Sequence, residues 1–140
     1  MSEKLKIVVD TNIFIRFLTN DEPVKAKKCF ELFEQARLGK IKLQTTETVI
    51  AEIVYILSSK KLYALNQSEI SDKIIPIIRI RGIRIPDKSL IVKALQILAE
   101  YRLDFEDCIL ISHMWKKKSK DIYSYDRGFD KISSIKRLEP

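Results

Sequence analysis

Two residue types that often build reactive or metal-binding sites are scarce in this chain of 140 residues, which contains two cysteines and one histidine. Cys29 and Cys108 lie far apart and form no Cys-x-x-Cys motif, so the sequence predicts neither a disulfide framework nor a zinc site, but two buried, reduced thiols. His113 falls within an apolar helical segment, and no serine or cysteine partner is indicated by spacing. A structural role is therefore favoured for His113 over catalysis.

Long hydrophobic runs are also missing. No apolar stretch approaches the roughly 20 residues that are needed to cross a bilayer. The first residues, Met-Ser-Glu-Lys-Leu-Lys, lead directly into a predicted strand and lack the apolar region of a secretory signal. Internal repeats, low-complexity tracts and linkers are absent. We therefore expect one domain over residues 1–140, located in the cytoplasm and without a membrane partner.

The charge balance is basic. The chain is 46% hydrophobic and 32% charged, a composition that excludes a disordered chain and is typical of a globular protein. Its formal net charge is +7, and its isoelectric point is near 9.4. A positive excess attracts polyanions, so nucleic acid is the first partner to consider.

Apolar strands alternate with amphipathic helices along the chain. Strands are predicted at residues 7–9, 41–45, 83–85, 122–125 and 135–138. Helices are predicted at residues 13–18, 22–37, 46–59, 67–81, 89–101 and from 104 to the lysines at 116–120, with a short turn or helix at 127–131. This alternation predicts a three-layer α/β/α fold, with a central, mostly parallel sheet of about four to five strands and helices on both faces.

Several local features accompany these elements. The β-branched run Ile7–Val9 predicts a strand buried on both faces. Asp21 and Asp104 are predicted N-caps of the helices that follow them. Apolar and charged residues alternate over 78–85, as in a strand, but residues 72–75 have a helical pattern. We therefore predict a helix that continues to about Arg81, with a kink at Pro76 and a break at Gly82. The helix after Asp104 is apolar nearly all round and is expected to be central.

Four acids accompany apolar core segments. Asp10 and Asp126 each follow a predicted core strand, Asp107 lies in the first turn of a buried helix, and Glu52 falls at the edge of an apolar helix face. Ligands of open α/β sheets bind outside the carboxyl ends of parallel strands. We therefore expect the Asp10 carboxylate to lie within a few ångströms of the other three.

Each acid also has a purely structural interpretation. Asp10 can serve only as a helix cap, Asp107 can complement a helix dipole, Asp126 can begin a turn, and Glu52 can be a solvated helix residue. These interpretations do not explain why all four acids accompany apolar segments. Crowded carboxylates repel one another and favour either protonation or a divalent cation. Mg²⁺ prefers oxygen ligands and leaves room for substrate phosphate oxygens.

The segments that contain these acids resemble those of a known protein family. The chain is similar to PIN-domain proteins and, in size and arrangement, to VapC-type toxin ribonucleases of toxin–antitoxin pairs. The resemblance covers essentially the whole chain, in the family's order and with similar spacing. It is carried by four segments: Ile7-Val8-Val9-Asp10-Thr11-Asn12, Thr48-Val49-Ile50-Ala51-Glu52-Ile53, Asp104-Phe105-Glu106-Asp107-Cys108 and Tyr123-Ser124-Tyr125-Asp126-Arg127-Gly128-Phe129.

The resemblance implies a set of site residues. The acids that bind metal and serve catalysis are Asp10, Glu52, Asp107 and Asp126. Asn12 and Ser124 are implied to support them by hydrogen bonds; the family often has threonine at the position of Ser124, and the hydroxyl is kept. Asp104 and Asp130 are easily confused with ligands. We interpret Asp104 as the helix cap and Asp130 as a surface residue, although either could assist a second metal ion.

The resemblance also implies an activity. The family pattern predicts an endoribonuclease that depends on one or two Mg²⁺ or Mn²⁺ ions, usually a homodimer, and blocked by a small VapB-like antitoxin in the active-site groove. Two alternatives are a PIN-domain nuclease of RNA processing or DNA repair without an antitoxin, and a non-catalytic RNA- or protein-binding module. The second alternative gives little reason to keep four mutually repelling carboxylates. The RNA target and the roles of Arg79, Arg81, Arg84 and the lysines at 116–120 stay open.

Overall fold

The computed structural model describes residues 6–140. The first five residues, which carry most of the segment judged for a secretory signal, lie outside the described residues. Within the described part, strands alternate with helices as predicted. None of its helices combines the length and the apolar character that a membrane span requires.

All strand pairings in residues 6–140 are parallel, which confirms the predicted α/β class. β1 pairs with β2 and β2 pairs with β3, with Leu43 of β2 beside Ile7 on one side and Ile83 on the other. β4 pairs separately with β5. The strands thus divide between a three-stranded and a two-stranded sheet. Their bounds are Lys6–Val8 for β1, Lys42–Gln44 for β2, Ile83–Arg84 for β3, Asp121–Tyr123 for β4 and Lys136–Leu138 for β5.

The helices lie close to their predicted positions. Thr46 caps one of them by accepting a hydrogen bond from the Val49 amide at 3.3 Å, and Asn66 caps another by accepting from the Glu69 amide at 2.9 Å. The α-helices are α1 (Thr11–Leu18), α2 (Pro23–Arg37), α3 (Glu47–Ser58), α4 (Gln67–Ile78), α5 (Lys88–Tyr101) and α6 (Phe105–Lys117), and a short 3₁₀ helix spans Arg127–Lys131.

Of the two predicted caps, Asp104 is confirmed in position and Asp21 is wrong. Glu22, not Asp21, occupies the N-cap position of α2, because the Asp21 carboxylate instead accepts a hydrogen bond from the Tyr63 hydroxyl. Asp104 does occupy the N-cap position of α6, but its side chain makes no capping hydrogen bond. The predicted end of α4 is also too late, since the helix ends at Ile78 and includes Pro76.

The prediction that β1 is buried on both faces is wrong. Ile7 is 41% exposed and Val8 is 74% exposed, whereas Val9, directly after the strand, is buried. The reason is that β1 pairs with β2 along one edge and that no strand within residues 6–140 pairs with its other edge. β1 is therefore an edge strand with apolar side chains in solvent.

The core lies between the three-stranded sheet and the helices. Leu43 and Ile83 from neighbouring strands are fully buried, and so are Ile50, Ile53 and Leu57 of α3. α6 is less central than predicted, because its Leu110 is half-exposed. It buries one face, where the Ser112 hydroxyl donates a 2.8 Å hydrogen bond to the Leu90 carbonyl of α5.

Candidate active site

Asp10 lies directly beyond β1, at the carboxyl-terminal edge of the three-stranded sheet. The Val9 amide donates to the Gln44 carbonyl at 2.8 Å, which extends the pairing of β1 and β2 to the residue before Asp10. Asp10 Oδ1 accepts a 3.3 Å hydrogen bond from the Ile13 amide and so caps α1. The side chain is exposed. Asp10 is therefore a helix cap, as one interpretation predicted, and a carboxylate with two oxygens can cap a helix and bind a cation together.

Thr11 connects this acid to Glu52. Its side chain is buried, with 6% exposure, and its hydroxyl donates a 2.8 Å hydrogen bond to Glu52 Oε2 from 41 positions away in the sequence. The bond fixes one carboxylate oxygen of an otherwise exposed glutamate on α3. We call Asp10, Thr11 and Glu52 the Asp10 group. The sequence prediction assigned no site role to Thr11. The feature that could have indicated one is its position, since it is a small polar residue directly after the acid that follows a strand.

Asp107 lies in the first turn of α6 and is half-buried. Burial raises the pKa of its carboxyl above the usual value, and the nearby charges of Asp126, Asp104 and Glu106 raise it further. Ionised Asp107 is thus destabilised by desolvation and by repulsion from like charges. We call Asp104, Glu106, Asp107 and Asp126 the Asp107 group.

The loop after β4 holds Asp126 in place. The Asp126 amide donates to the Ser124 hydroxyl at 3.0 Å, and Asp126 Oδ1 accepts from the Gly128 amide at 2.8 Å. Ser124 therefore supports the backbone of Asp126 rather than its carboxylate. A Cβ atom on Gly128 would lie 3.0 Å from Asp126 Oδ1 and 3.1 Å from Leu103 Cδ2, so a larger residue would press on the Asp126 carboxylate.

Arg137 braces the same loop and was not anticipated from the sequence. Its guanidinium donates to the Ser124 carbonyl at 3.0 Å, to Asp130 Oδ1 at 3.0 Å and to Glu139 Oε1 at 2.8 Å. Asp130 is exposed on the protein surface and forms an ion pair with Arg137. This placement agrees with the interpretation of Asp130 as a surface residue.

The contacts and charges described above relate the predicted acids in two places, Glu52 to Thr11 beside Asp10 and Asp107 to Asp126. Within residues 6–140, no three acidic, histidine or cysteine side chains lie close enough to hold one metal ion. That the Asp10 carboxylate lies beside the other three acids stays a prediction. Asp10 and Asp126 follow strands of different sheets. Asn12 is exposed in the first turn of α1, and exposed Asp104 precedes α6.

The donor set nevertheless matches a hard divalent cation in chemical type. Both groups offer carboxylate oxygens, which are the ligands that Mg²⁺ prefers. Within residues 6–140, no lysine or arginine forms an ion pair with Asp10, Glu52, Asp107 or Asp126. The acids predicted as ligands thus lack a protein cation as partner in the described structure.

The cysteines do not compete for a catalytic role. Cys29 and Cys108 are free and buried, as predicted. Burial and the neighbouring acids raise the pKa of the Cys108 thiol to about 12. A thiol with so high a pKa is protonated at neutral pH and is a poor nucleophile.

Comparison with known proteins adds two findings. The family model of the PIN domain matches residues 7–135 of the chain, a span that includes Asp10, Glu52, Asp107 and Asp126. The chain is also similar to a protein of Aquifex aeolicus (strain VF5) described as a VapC ribonuclease. The two are 26% identical over 133 residues, which cover 95% of this chain and 96% of that relative.

Proposed function

Because the chain belongs to the PIN-domain family, we propose that it is a nuclease, and more specifically an endoribonuclease that depends on Mg²⁺ or Mn²⁺. The observation that carries this proposal is the crowding at Asp107, whose pKa is raised by burial and by three neighbouring acids. An acid with a structural role alone is normally stabilised by a cation or by donors. Asp107 instead lies among carboxylates, an environment that a divalent cation would neutralise.

The residues that would hold one or two ions are Asp10, Glu52, Asp107 and Asp126. A divalent ion bound there would supply Lewis-acid polarisation of a phosphodiester and activation of a water molecule. The chain's own residues orient the carboxylates. Thr11 fixes Glu52, and the amide of Gly128 fixes Asp126.

Electrostatics favours an anionic substrate. The formal net charge of +7 attracts a nucleic acid backbone, while the acids create a local negative site inside the basic surface. In this arrangement the positive surface holds the phosphates, and the carboxylates contribute only where a cation binds. We therefore propose that the substrate is RNA and that the protein acts in the cytoplasm.

We further propose that the chain is the toxin of a toxin–antitoxin pair. The support is its similarity to a VapC ribonuclease over nearly the full length of both chains. A small VapB-like antitoxin would be its partner, and a homodimer its assembly. A nuclease of RNA processing or DNA repair would need no such partner. The test is to co-express the protein with the product of a short neighbouring gene. Tight binding of that product and loss of RNA cleavage would support the toxin proposal.

An RNA-cleavage assay tests the nuclease proposal. Protein freed of any co-purified partner is incubated with RNA and Mg²⁺ or Mn²⁺, and wild type is compared with Asp10→Asn, with added chelator, and with Asp72→Asn, an exposed acid of α4, as the matched control. We expect cleavage by wild type and by Asp72→Asn, and none by Asp10→Asn or after chelation. Cleavage that survives both Asp10→Asn and chelation would exclude a metal-dependent nuclease, and RNA binding without cleavage would indicate the non-catalytic module.

A further inference from the structure

A broad, open pocket of about 530 Å³ lies between the end of α4 and the first half of α5. We call it the α5 pocket. Three of its six lining residues are cations and none is an acid, which makes its charge of one sign. The lining residues are Arg79, Lys88, Ser89, Val92, Lys93 and Gln96. Clefts lined by charges of one sign focus the electrostatic potential and attract ions of the opposite sign.

Two of these cations lack an acidic partner. Arg79 and Lys93 are exposed, and neither forms an ion pair with an acid among residues 6–140. Asp87, the acid that directly precedes α5, is paired instead with Lys116 at 3.8 Å. The positive charge of the α5 pocket is therefore not neutralised by the described part of the chain and is available to an anionic ligand.

Lys88 holds the third charge in a fixed place. Its amino group donates to the carbonyls of Ile80 at 3.1 Å and Ile83 at 2.7 Å, in the segment that leads from α4 into β3. Burial and the nearby charge of Arg84 lower the pKa of Lys88. Arg84 thus adds positive potential close to the pocket, and an anion bound there would relieve the repulsion between these cations.

Lys93 is held by an aromatic ring. Its amino nitrogen lies 5.4 Å from the centroid of the Trp115 ring on α6, a cation–π contact that leaves the charge of the lysine intact. The Trp115 ring is itself oriented, because its Nε1 donates to the Ser134 hydroxyl at 3.2 Å. A side chain that is already positioned loses less conformational entropy when it binds a ligand.

The α5 pocket is separate from the candidate ligand acids, none of which lines it. Lys93 contacts Trp115 in the last turns of α6, whereas Asp107 lies in the first turn of the same helix. The rise of the helix between Asp107 and Trp115 is about 12 Å. A phosphate site at this separation suits nucleotides that flank the cleaved linkage rather than the linkage itself.

We propose that the α5 pocket binds backbone phosphates of the single-stranded RNA substrate, at nucleotides that flank the cleaved linkage. The inference rests on the proposed ribonuclease function. Arg79 and Lys93 donate charged hydrogen bonds to phosphate oxygens, and Lys88 and Arg84 add positive potential beneath them. Contacts of this kind position a strand without reading its sequence. Arg79 and Arg84, whose roles the sequence left open, thereby belong to one phosphate-binding surface.

Binding of a short single-stranded RNA at several salt concentrations tests the proposal. The protein carries Asp10→Asn and is kept free of divalent cations to prevent cleavage, and affinity is measured by fluorescence anisotropy. Adding Arg79→Gln together with Lys93→Gln should lower the affinity about tenfold at low salt. The slope of log affinity against log salt should become shallower by about 1.4, since each phosphate contact on a single strand contributes about 0.7. Lys88 is left unchanged because it also bonds backbone carbonyls.

The matched control removes the same charge elsewhere. Lys27→Gln together with Lys28→Gln changes two exposed lysines of α2 that do not line the α5 pocket. This control should keep the affinity and the salt slope of the parent protein. Equal losses in the two double variants would overturn the proposal, because net charge alone would then explain them. Unfolding in urea checks that both double variants are folded.

The outcomes separate the α5 pocket from the nuclease activity. Unchanged affinity in Arg79→Gln with Lys93→Gln would overturn the pocket proposal even if wild type cleaves RNA. A loss confined to that double variant would support the pocket even if wild type fails to cleave, and the nuclease proposal alone would then fall. Polyglutamate replaces RNA in a last titration. If it binds as tightly as RNA and is weakened equally by the pocket variant, RNA would be overturned as the ligand in favour of an acidic protein segment.

Discussion

At the scale of single residues, Thr11 is the positioning group that the structure adds to the predicted acids. Its buried hydroxyl donates to Glu52 Oε2 at 2.8 Å. Because Glu52 is otherwise exposed, this hydrogen bond restricts where its carboxylate can lie. A residue with this role should affect catalysis more than it affects folding.

Replacement of Thr11 by valine tests that role. We expect Thr11→Val to lower the free energy of unfolding by about 1 kcal/mol, the usual net contribution of one hydrogen bond, and to lower kcat/KM for RNA cleavage by about tenfold or more. Thr11→Ser should restore both, and exposed Thr48→Val should change neither. Unfolding in urea and initial cleavage rates measure the two effects. Full activity of Thr11→Val would show that Glu52 needs no orientation by Thr11.

Asp107 gives a prediction with a definite pH dependence. The folded state raises its pKa, so the folded protein binds this proton more tightly than the unfolded chain. The resulting stabilisation is present below the ordinary carboxyl pKa and is lost as the pH rises through the raised value. Without metal at neutral pH, ionised Asp107 therefore destabilises the fold. Asp107→Asn should unfold at higher urea than wild type at neutral pH, and this advantage should shrink in acid.

The control for this prediction is Asp72→Asn, an exposed acid of α4. It should show no comparable gain in stability at neutral pH. A gain by Asp107→Asn of equal size at neutral and acidic pH would point to packing of the amide rather than to removal of a charge. The same variant should lose RNA cleavage, so that stability rises while activity falls.

The structural role of a residue was predictable from the sequence where the local pattern decides it. Asp10 as an acid after a strand and Asp104 as the N-cap residue of α6 depend on near neighbours, and both positions are confirmed. The partners of Thr11 and Arg137 were not predictable in this way. Each depends on which distant segments pack together, and a single polar residue carries no sign of a partner 41 positions away.

At the scale of elements, two glycines differ in what they protect. A Cβ atom on Gly82 would lie 2.4 Å from the Ala36 carbonyl oxygen, where β3 passes the end of α2. A Cβ atom on Gly128 would instead press on the Asp126 carboxylate at 3.0 Å. The first glycine allows two backbone segments to pack closely, and the second leaves room for an acid of the candidate site.

The pair of alanine variants should therefore separate folding from catalysis. We expect Gly82→Ala to lower the free energy of unfolding by about 1–3 kcal/mol or more through overpacking, with the activity of the remaining folded protein retained. Gly128→Ala should cost less stability but should displace Asp126 and reduce cleavage. Urea unfolding and the cleavage rate per folded molecule distinguish the two. The opposite pattern would contradict the assignment of Gly128 to the site.

Strand position was predictable from hydrophobic pattern, but strand neighbours were not. The run Ile7–Val9 indicated a strand, and β1 is present there. Its burial was predicted wrongly because an apolar strand is buried only when other elements cover both of its faces and edges. The pairings that decide this join β1 to β2 and β4 to β5, and they are set by packing across the whole chain.

At the scale of the whole molecule, the net charge of +7 should dominate overall RNA affinity. Affinity should fall steeply with salt, because neutralised phosphates release counterions. Anisotropy titrations of Asp10→Asn with a short single-stranded RNA at low and high salt measure this dependence. An affinity that does not change with salt would contradict a mainly electrostatic contact with phosphates.

We propose that Asp10, Glu52, Asp107 and Asp126 act together as one metal site. A Mn²⁺ titration followed by electron paramagnetic resonance tests it most directly. Wild type is compared with Asp10→Asn, Glu52→Gln, Asp107→Asn and Asp126→Asn, with Asp72→Asn as the control. Each of the four variants should weaken Mn²⁺ binding at least tenfold, and the control should bind as wild type does. Wild-type affinity in Asp10→Asn or in Asp126→Asn would contradict a shared site.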